Sequence, residues 1–275
     1  LTNGWGATPA TALLSLPSAS QFGYSARFRY TSGALDTPQF PLTSRQLSLA
    51  VGGLTVNTAL IPPDGFTHLW GNADSEGNIF GSFSYSLSNV FQLDVYKAGI
   101  HRNLTPVGGE PSTALASSYA SDRGFNWRVG GKAVALSPQR GAPIWTSGKI
   151  SFGRNNDPSS YQGYAFFESI NTWEANPWCA LNINPKFAWS GVSNPWGVGV
   201  SGNFQLGESF QVIPEVNVVG SHLKASNATF ALRWIADPEA TFLDLYLSNA
   251  AGLVDMGQLI GSKDLRYGIR LTTIF

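Results

Sequence analysis

Charged residues are scarce in this chain of 275 residues. They make up 12% of it, about half the share found in an average soluble domain. Lysine plus arginine number 17, and so do aspartate plus glutamate, so no basic excess indicates a nucleic-acid-binding protein. A single cysteine, Cys179, excludes an internal disulfide framework and a zinc ribbon.

Long apolar runs are missing as well. No stretch approaches the roughly 18 consecutive apolar residues that a transmembrane helix needs. The spacing of an amphipathic helix is faint and confined to residues 250–260, where we expect one short turn or helix within a loop. The chain starts at Leu1 without a charged leader, which predicts that a signal peptide has been removed.

Alternation of apolar and polar residues, in contrast, recurs along the whole chain, and this period of two is typical of β-strands. Turn-forming clusters separate the alternating segments, and no linker divides them. The sequence therefore predicts one all-β domain at 22–275 with 12 to 14 antiparallel strands, preceded by an N-terminal lead or plug segment at 1–21. Fourteen segments alternate, and 46–58 and 66–72 are the weakest: 22–31, 46–58, 66–72, 77–87, 89–98, 124–136, 145–153, 162–171, 180–190, 196–207, 209–220, 226–236, 240–248 and 265–275.

The composition of the two strand faces predicts which side meets water. The polar faces carry mostly Ser, Thr, Asn, Gln and Gly, whereas a water-exposed sheet normally carries many Lys and Glu. Such faces suit a hydrated lumen, so the apolar faces are predicted to contact lipid in a transmembrane antiparallel β-barrel. A soluble β-sandwich or barrel with an apolar core is the alternative. Aromatic residues near strand ends would form the interfacial girdles of a membrane barrel: Trp127, Trp189, Trp196, Trp234, Tyr246 and Tyr267.

The last eleven residues, 265–275, carry the most specific pattern. Tyr267, Ile269, Leu271 and the terminal Phe275 share one face, and Thr273 is a polar exception on it. This segment resembles the terminal strand of bacterial outer-membrane β-barrels of the porin type. The resemblance implies an outer-membrane location and implies that the barrel-assembly machinery reads this strand.

A weaker resemblance lies at 58–65, a stretch with two prolines, an aspartate and a glycine before a predicted strand. It is similar to the segment that introduces the barrel in YjbH-like proteins associated with exopolysaccharide export. The alternative is an ordinary Pro-Asp-Gly turn.

Residues for chemistry are few. The three histidines, His68, His101 and His222, have no spacing typical of a helix-borne metal site. His222 follows Ser221, and Asp94 lies seven positions before His101, but neither pair belongs to a lipase or protease motif. The sequence therefore predicts no catalytic residue, metal or cofactor, and a membrane-embedded hydrolase is kept as an alternative.

Charges on the polar faces are predicted to line the barrel. Nine are basic and four acidic, and this excess predicts a lumen that favours anions. The alternative is a packed interior in which these charges pair with one another, although a barrel of twelve or more strands exceeds what wall side chains alone fill. The predicted lining residues are Arg27, Arg29, Arg128, Lys132, Lys149, Lys186, Arg233, Arg266 and Arg270, with Asp94, Glu168, Glu215 and Asp244.

The predicted function is a channel for passive diffusion of small polar solutes, with mild preference for anions. Its expected partners are the lipid bilayer, these solutes and the barrel-assembly machinery, and porin-like barrels often associate with further copies of themselves. Two other hypotheses stay open. One is a non-conducting barrel that anchors an envelope partner such as polysaccharide-export machinery, and the other is a soluble carbohydrate-binding β-protein.

Overall fold

The structure, a computed structural model, describes residues 42–98, 106–107, 126–154, 163–191, 193–220, 226–238 and 240–275. Helix α1 spans Ser44–Ala50, and 3-10 helices span Pro138–Arg140 and Asp255–Leu259. The strands are β1 Thr67–Asp74, β2 Ile79–Ser88, β3 Phe91–Ala98, β4 Asn126–Leu136, β5 Trp145–Arg154, β6 Gly163–Asn176, β7 Cys179–Ser190, β8 Trp196–Leu206, β9 Phe210–Val219, β10 Asn227–Asp237, β11 Thr241–Ala250 and β12 Gly261–Ile274.

The twelve described strands form a closed barrel. Each pairs antiparallel with the next strand in sequence, and β12 returns to pair with β1. At the closure, Thr67 N–H donates to Phe275 O (2.7 Å), and Phe275 N–H donates to Thr67 O (3.0 Å). No sheet edge is left among these strands, and the prediction of an antiparallel barrel of 12 to 14 strands is confirmed at its lower number.

The outer face of the barrel is apolar. Along β7 every second residue is exposed, and the residues between them are buried. Large apolar side chains point outward around the barrel, including Trp189 (61% exposed) and Trp196 (53%). Water would disfavour so extensive an apolar surface, whereas lipid matches it. No helix in the described ranges is long and apolar enough to span a bilayer.

One predicted girdle residue was assigned to the wrong face. Tyr246 is 5% exposed and lies inside the barrel, because it is two positions from the inward-facing Asp244 and strand residues two apart share a face. Its cross-strand partner is Gly268. A Cβ at Gly268 would lie 2.4 Å from the Tyr246 ring, so the missing side chain leaves space for the aromatic ring.

The prediction of a strand at 46–58 is also wrong. Thr43 caps α1 there: Gln46 N–H donates to Thr43 Oγ1, and Thr43 N–H donates to Gln46 Oε1, both at 3.2 Å. The chain then turns at Gly52, which has φ +77°. The predicted segment 66–72 does form β1, whereas 22–31 lies outside the described residues.

The Pro-Asp-Gly segment before β1 forms a turn. Phe66 N–H donates to Pro63 O at 3.2 Å, and Gly65 has φ +79°, a conformation that glycine adopts without strain. The turn alternative for 58–65 is therefore confirmed, and the YjbH-like resemblance stays a prediction.

The two barrel ends differ in their connections. At the end with Thr67 and Phe275, which we call the short-turn end, β6 and β7 are joined by residues 177–178 alone. At the opposite, long-loop end, the β3–β4 connection spans 99–125.

Candidate functional site

Two stretches of the chain occupy the barrel interior. The first, residues 42–62, is called the inner segment. It begins beside the short-turn end, where Arg45 Nη1 donates to Gln205 Oε1 (3.1 Å), passes into the barrel and returns to β1. The second is the β11–β12 loop, 251–260, and both stretches are almost entirely buried. The described interior is therefore packed. The sequence favours an open lumen, and the described residues do not form one.

The deepest turn of the inner segment is bound by a wall carboxylate. Glu215 on β9 accepts the N–H groups of Leu54 (2.8 Å) and Thr55 (2.6 Å), and also the Thr55 hydroxyl (2.8 Å). A Cβ at Gly53 would lie 1.8 Å from Glu215 Oε1 and 2.3 Å from Val56 O. Glycine at this position therefore allows the carboxylate to approach the backbone.

Four wall cations bind the same segment through its backbone carbonyls. Since a carbonyl oxygen carries only a partial charge, these contacts hold the segment without neutralising the cations. The bonds run from Arg233 to Ser48 O (2.9 Å) and Gly52 O (2.7 Å), from Arg270 to Gly53 O (2.7 Å), from Lys186 to Thr55 O (2.5 Å), and from Lys132 to Thr58 O (2.8 Å) and Leu60 O (2.5 Å).

The β11–β12 loop adds a carboxylate that the sequence analysis did not assign. Asp255 lies 2.6 Å from Arg128 Nη1 and 3.2 Å from Lys149 Nζ, and it accepts the Ser151 hydroxyl at 2.5 Å. Burial alone would raise the pKa of Asp255, but the two cations and the hydrogen bonds lower it to about 2. The ionised Asp255 carboxylate therefore holds the loop inside the barrel. The expected short helix forms here, inside the barrel.

The two interior stretches meet in the middle of the barrel. Lys186 Nζ donates to Thr55 O of the inner segment and to Gln258 Oε1 of the loop (2.7 Å). Leu54 and Leu253, one from each stretch, belong to the same buried apolar cluster as Tyr246. The interior is thus filled from both ends of the barrel.

Ion pairs within the wall neutralise most of its charges. Asp244 lies between Arg233 (2.7 Å) and Arg270 (2.5 Å). Further pairs join Arg128 to Asp94 (2.7 Å), Lys186 to Glu168 (3.6 Å) and Arg266 to Asp74 (3.2 Å). Breaking one such buried pair leaves an uncompensated charge, which is strongly destabilising.

The structure places eleven of the thirteen predicted lining residues on the inner wall, all buried: Asp94, Arg128, Lys132, Lys149, Glu168, Lys186, Glu215, Arg233, Asp244, Arg266 and Arg270. Arg27 and Arg29 lie outside the described residues. Three additional carboxylates, Asp74, Glu174 and Asp255, contact interior groups, so the cation excess is smaller than predicted. Whether these residues line a conducting path stays a prediction.

The predicted assembly strand has the expected register. Tyr267 (67%), Ile269 (42%), Leu271 (53%) and Phe275 (63%) are all exposed on the outer face. Their role in assembly stays a prediction.

The structure describes one of the three histidines. His68 on β1 is buried inside the barrel, and His101 and His222 lie outside the described residues. Within the part of the chain that the structure describes, no group of three or more His, Cys, Asp or Glu side chains could hold a metal ion.

Solved porin structures share this fold. The KdgM porin in complex with disordered oligogalacturonate has a TM-score of 0.51 and 8% identity, over 76% of this chain and 99% of that one. A second KdgM porin structure gives 0.50 and 8% with the same coverage. An outer-membrane channel from Pseudomonas putida F1 gives 0.46 and 9%, over 79% and 98%. Neither a protein-family model nor a curated protein matches the sequence.

The closed twelve-strand barrel, its apolar exterior and its likeness to KdgM define the class of this protein. That class is a closed antiparallel β-barrel with an apolar, lipid-facing exterior and the fold of solved outer-membrane porins.

Proposed function

We propose that the protein is an outer-membrane channel for small polar solutes, closed by its own inner segment in the conformation described above. The observation that carries this proposal is the way the segment is held. Around its turn, wall cations donate to backbone carbonyls and Glu215 accepts backbone N–H groups. Water can replace such bonds when the segment moves, although each bond to a charged group contributes about 1.5 to 3 kcal/mol to the closed state.

Selectivity follows from the charges around the turn. The carboxylates there are Glu168, Glu215 and Asp244, and the cations are Lys132, Lys186, Arg233 and Arg270. The local excess is one cation. A path past these residues would favour anions only mildly, because most of the field cancels over short distances.

The remaining polar wall supports passage of hydrated solutes. Asn182 Nδ2, for example, donates to Ser201 Oγ and to Asn203 Oδ1, both at 2.9 Å. Neutral groups of this kind exchange bonds with passing water and solute without trapping ions. No catalytic step is included in this proposal.

The test is planar-bilayer recording of two proteins in a KCl gradient, the intact chain and a variant that lacks residues 45–60. We expect rare openings for the intact chain and frequent openings for the deletion variant, with mild anion selectivity in both. Circular dichroism and heat-dependent gel mobility establish that each barrel is folded. A folded deletion variant that does not conduct would refute the proposal.

A second function, a non-conducting anchor for an envelope partner, is supported by how completely the interior is filled. Val56, Leu60 and Arg233 are each 0% exposed. If the anchor hypothesis is correct, the intact chain stays silent at every voltage while the deletion variant conducts. The same recordings therefore separate a gated channel from a closed anchor.

We also propose that the barrel-assembly machinery binds this barrel and that copies of the barrel associate with one another. The exposed aromatic and aliphatic residues of β12 are the surface that the barrel-assembly machinery would read. The apolar exterior allows further copies of the barrel to associate within the membrane. Chemical cross-linking in native membranes tests both contacts.

A further inference from the structure

A polar cavity of about 70 Å³ lies between the inner segment and the wall formed by β1 to β5 and β12. A water needs about 10 to 15 Å³ of this kind of volume, so the cavity has room for a few waters or for a small ion with its waters. It is therefore distinct from the space that a diffusing solute would need after the inner segment had moved.

Lys132 is the cation at this cavity for which the described residues supply no carboxylate partner. Its Nζ donates to Thr58 O and Leu60 O, and within the described ranges it forms no salt bridge. The other cations on the lining each have a carboxylate partner: Arg128 with Asp94, Lys149 with Asp255, and Arg270 with Asp244. A buried ammonium is costly unless an anion or several dipoles compensate it.

Hydrogen-bond donors surround the same cavity without protein partners. Ser82, Ser84 and Gln92 line it, are 5–7% exposed, and form no side-chain hydrogen bond within the part of the chain that is described. The buried His68 Nε2 also has no partner there. Gln92 is the cross-strand partner of Lys132, and Ser84 is the partner of His68 on one side and of Asp94 on the other, so these groups lie on neighbouring strands of one wall. Because the hydroxyl and amide groups of these side chains line the cavity, an anion bound there would accept hydrogen bonds from them.

We propose that this cavity binds one small monovalent anion, held by the Lys132 ammonium and by the side chains of Ser84 and Gln92. The inference rests on the proposed function in taking anions as the solute, and it adds a specific site beside the closed path. Binding at this site does not require the inner segment to move, so it is measurable in the absence of conduction.

The test measures chloride-35 NMR line broadening on the purified barrel in detergent, with bromide as the competing ion. Wild type is expected to broaden the chloride line, and bromide is expected to reverse the effect. Lys132→Met should weaken binding about tenfold or more, since one direct charge contact in a buried site is lost. Lys263→Met, at an exposed position on β12, is the matched control and should bind as wild type does.

A second variant covers the case in which Lys132→Met does not fold. Ser84→Val keeps the charge but fills the cavity, and it should also abolish the bromide-reversible broadening. Chloride binding that survives Ser84→Val, or that is lost equally in Lys263→Met, would overturn the inference. Absence of binding in a barrel that conducts with anion selectivity would overturn the site alone and leave the proposed channel standing.

Discussion

Replacing Glu215 with glutamine should release the inner segment while leaving the barrel intact. Both carboxyl oxygens of Glu215 accept hydrogen bonds, from Leu54 N–H, Thr55 N–H and the Thr55 hydroxyl. An amide has one oxygen and one NH₂ group. In either orientation, the NH₂ group of glutamine would face at least one backbone donor, so a bond is replaced by a repulsive contact.

The expected size of the effect follows from these bonds. A hydrogen bond to a charged group contributes about 1.5 to 3 kcal/mol, and the substitution removes at least one of them. If the closed state loses about 2 to 3 kcal/mol relative to the open state, the open-to-closed ratio rises roughly 30- to 150-fold. The single-channel current should stay similar in size but become more anion-selective, because the substitution removes one of the three carboxylates around the turn.

Open probability in planar bilayers is the quantity to measure, with Glu208→Gln as the matched control. Glu208 lies in the exposed β8–β9 turn at the short-turn end, and its substitution should leave gating unaltered. An unchanged open probability in a folded Glu215→Gln barrel would show that this carboxylate does not hold the channel closed. An equal rise in both variants would show that the effect comes from the loss of a negative charge and not from the lost hydrogen bonds.

Three further substitutions test the packing and the assembly strand. Gly53→Ala places a Cβ 1.8 Å from Glu215 Oε1, so it should raise the open probability as Glu215→Gln does. Gly268→Ala brings a Cβ within 2.4 Å of the Tyr246 ring and should lower the urea midpoint of unfolding, with partial recovery when Tyr246→Leu is added. Phe275→Ala should reduce the amount of folded barrel in the outer membrane, measured by heat-dependent gel mobility, while refolding in detergent stays efficient.

The outer wall could be predicted because alternation has a direct physical meaning. Inward and outward residues must alternate along a strand, so the register of β7 and of β12 can be read from the sequence. The same rule places Tyr246 inside, on the face of Asp244. The aromatic ring of Tyr246 favours the membrane interface in a prediction from sequence. The neighbouring Gly268 is the feature that leaves space for this ring inside the barrel.

The filled interior was harder to predict, because the inner segment has the alternation of apolar and polar residues that is typical of a strand. Its apolar Leu54 and Val56 alternate with the polar Thr55 and Asn57, yet these residues pack against the surrounding wall and belong to none of the described strands. Local signals were present in Thr43 and Gln46, which form the capping box of α1. The non-alternating apolar stretch at 251–260 was a second signal, since an apolar loop must be buried somewhere. Neither signal specifies that the barrel itself provides the burial.

The distribution of charge between wall and inner segment explains how such a filled barrel could still open. Arg45 is the only charged residue in 42–62, and the ion pairs of Asp244 with Arg233 and Arg270 are made entirely within the wall. Withdrawal of the segment therefore breaks no salt bridge around its turn, and water has to replace only bonds to backbone groups and neutral side chains. A segment held by carboxylates of its own would leave unpaired buried cations behind, at a cost of several kcal/mol each. Because the wall keeps its charges in both states, the intact chain and the variant lacking 45–60 should have the same reversal potential, even though their open probabilities differ widely.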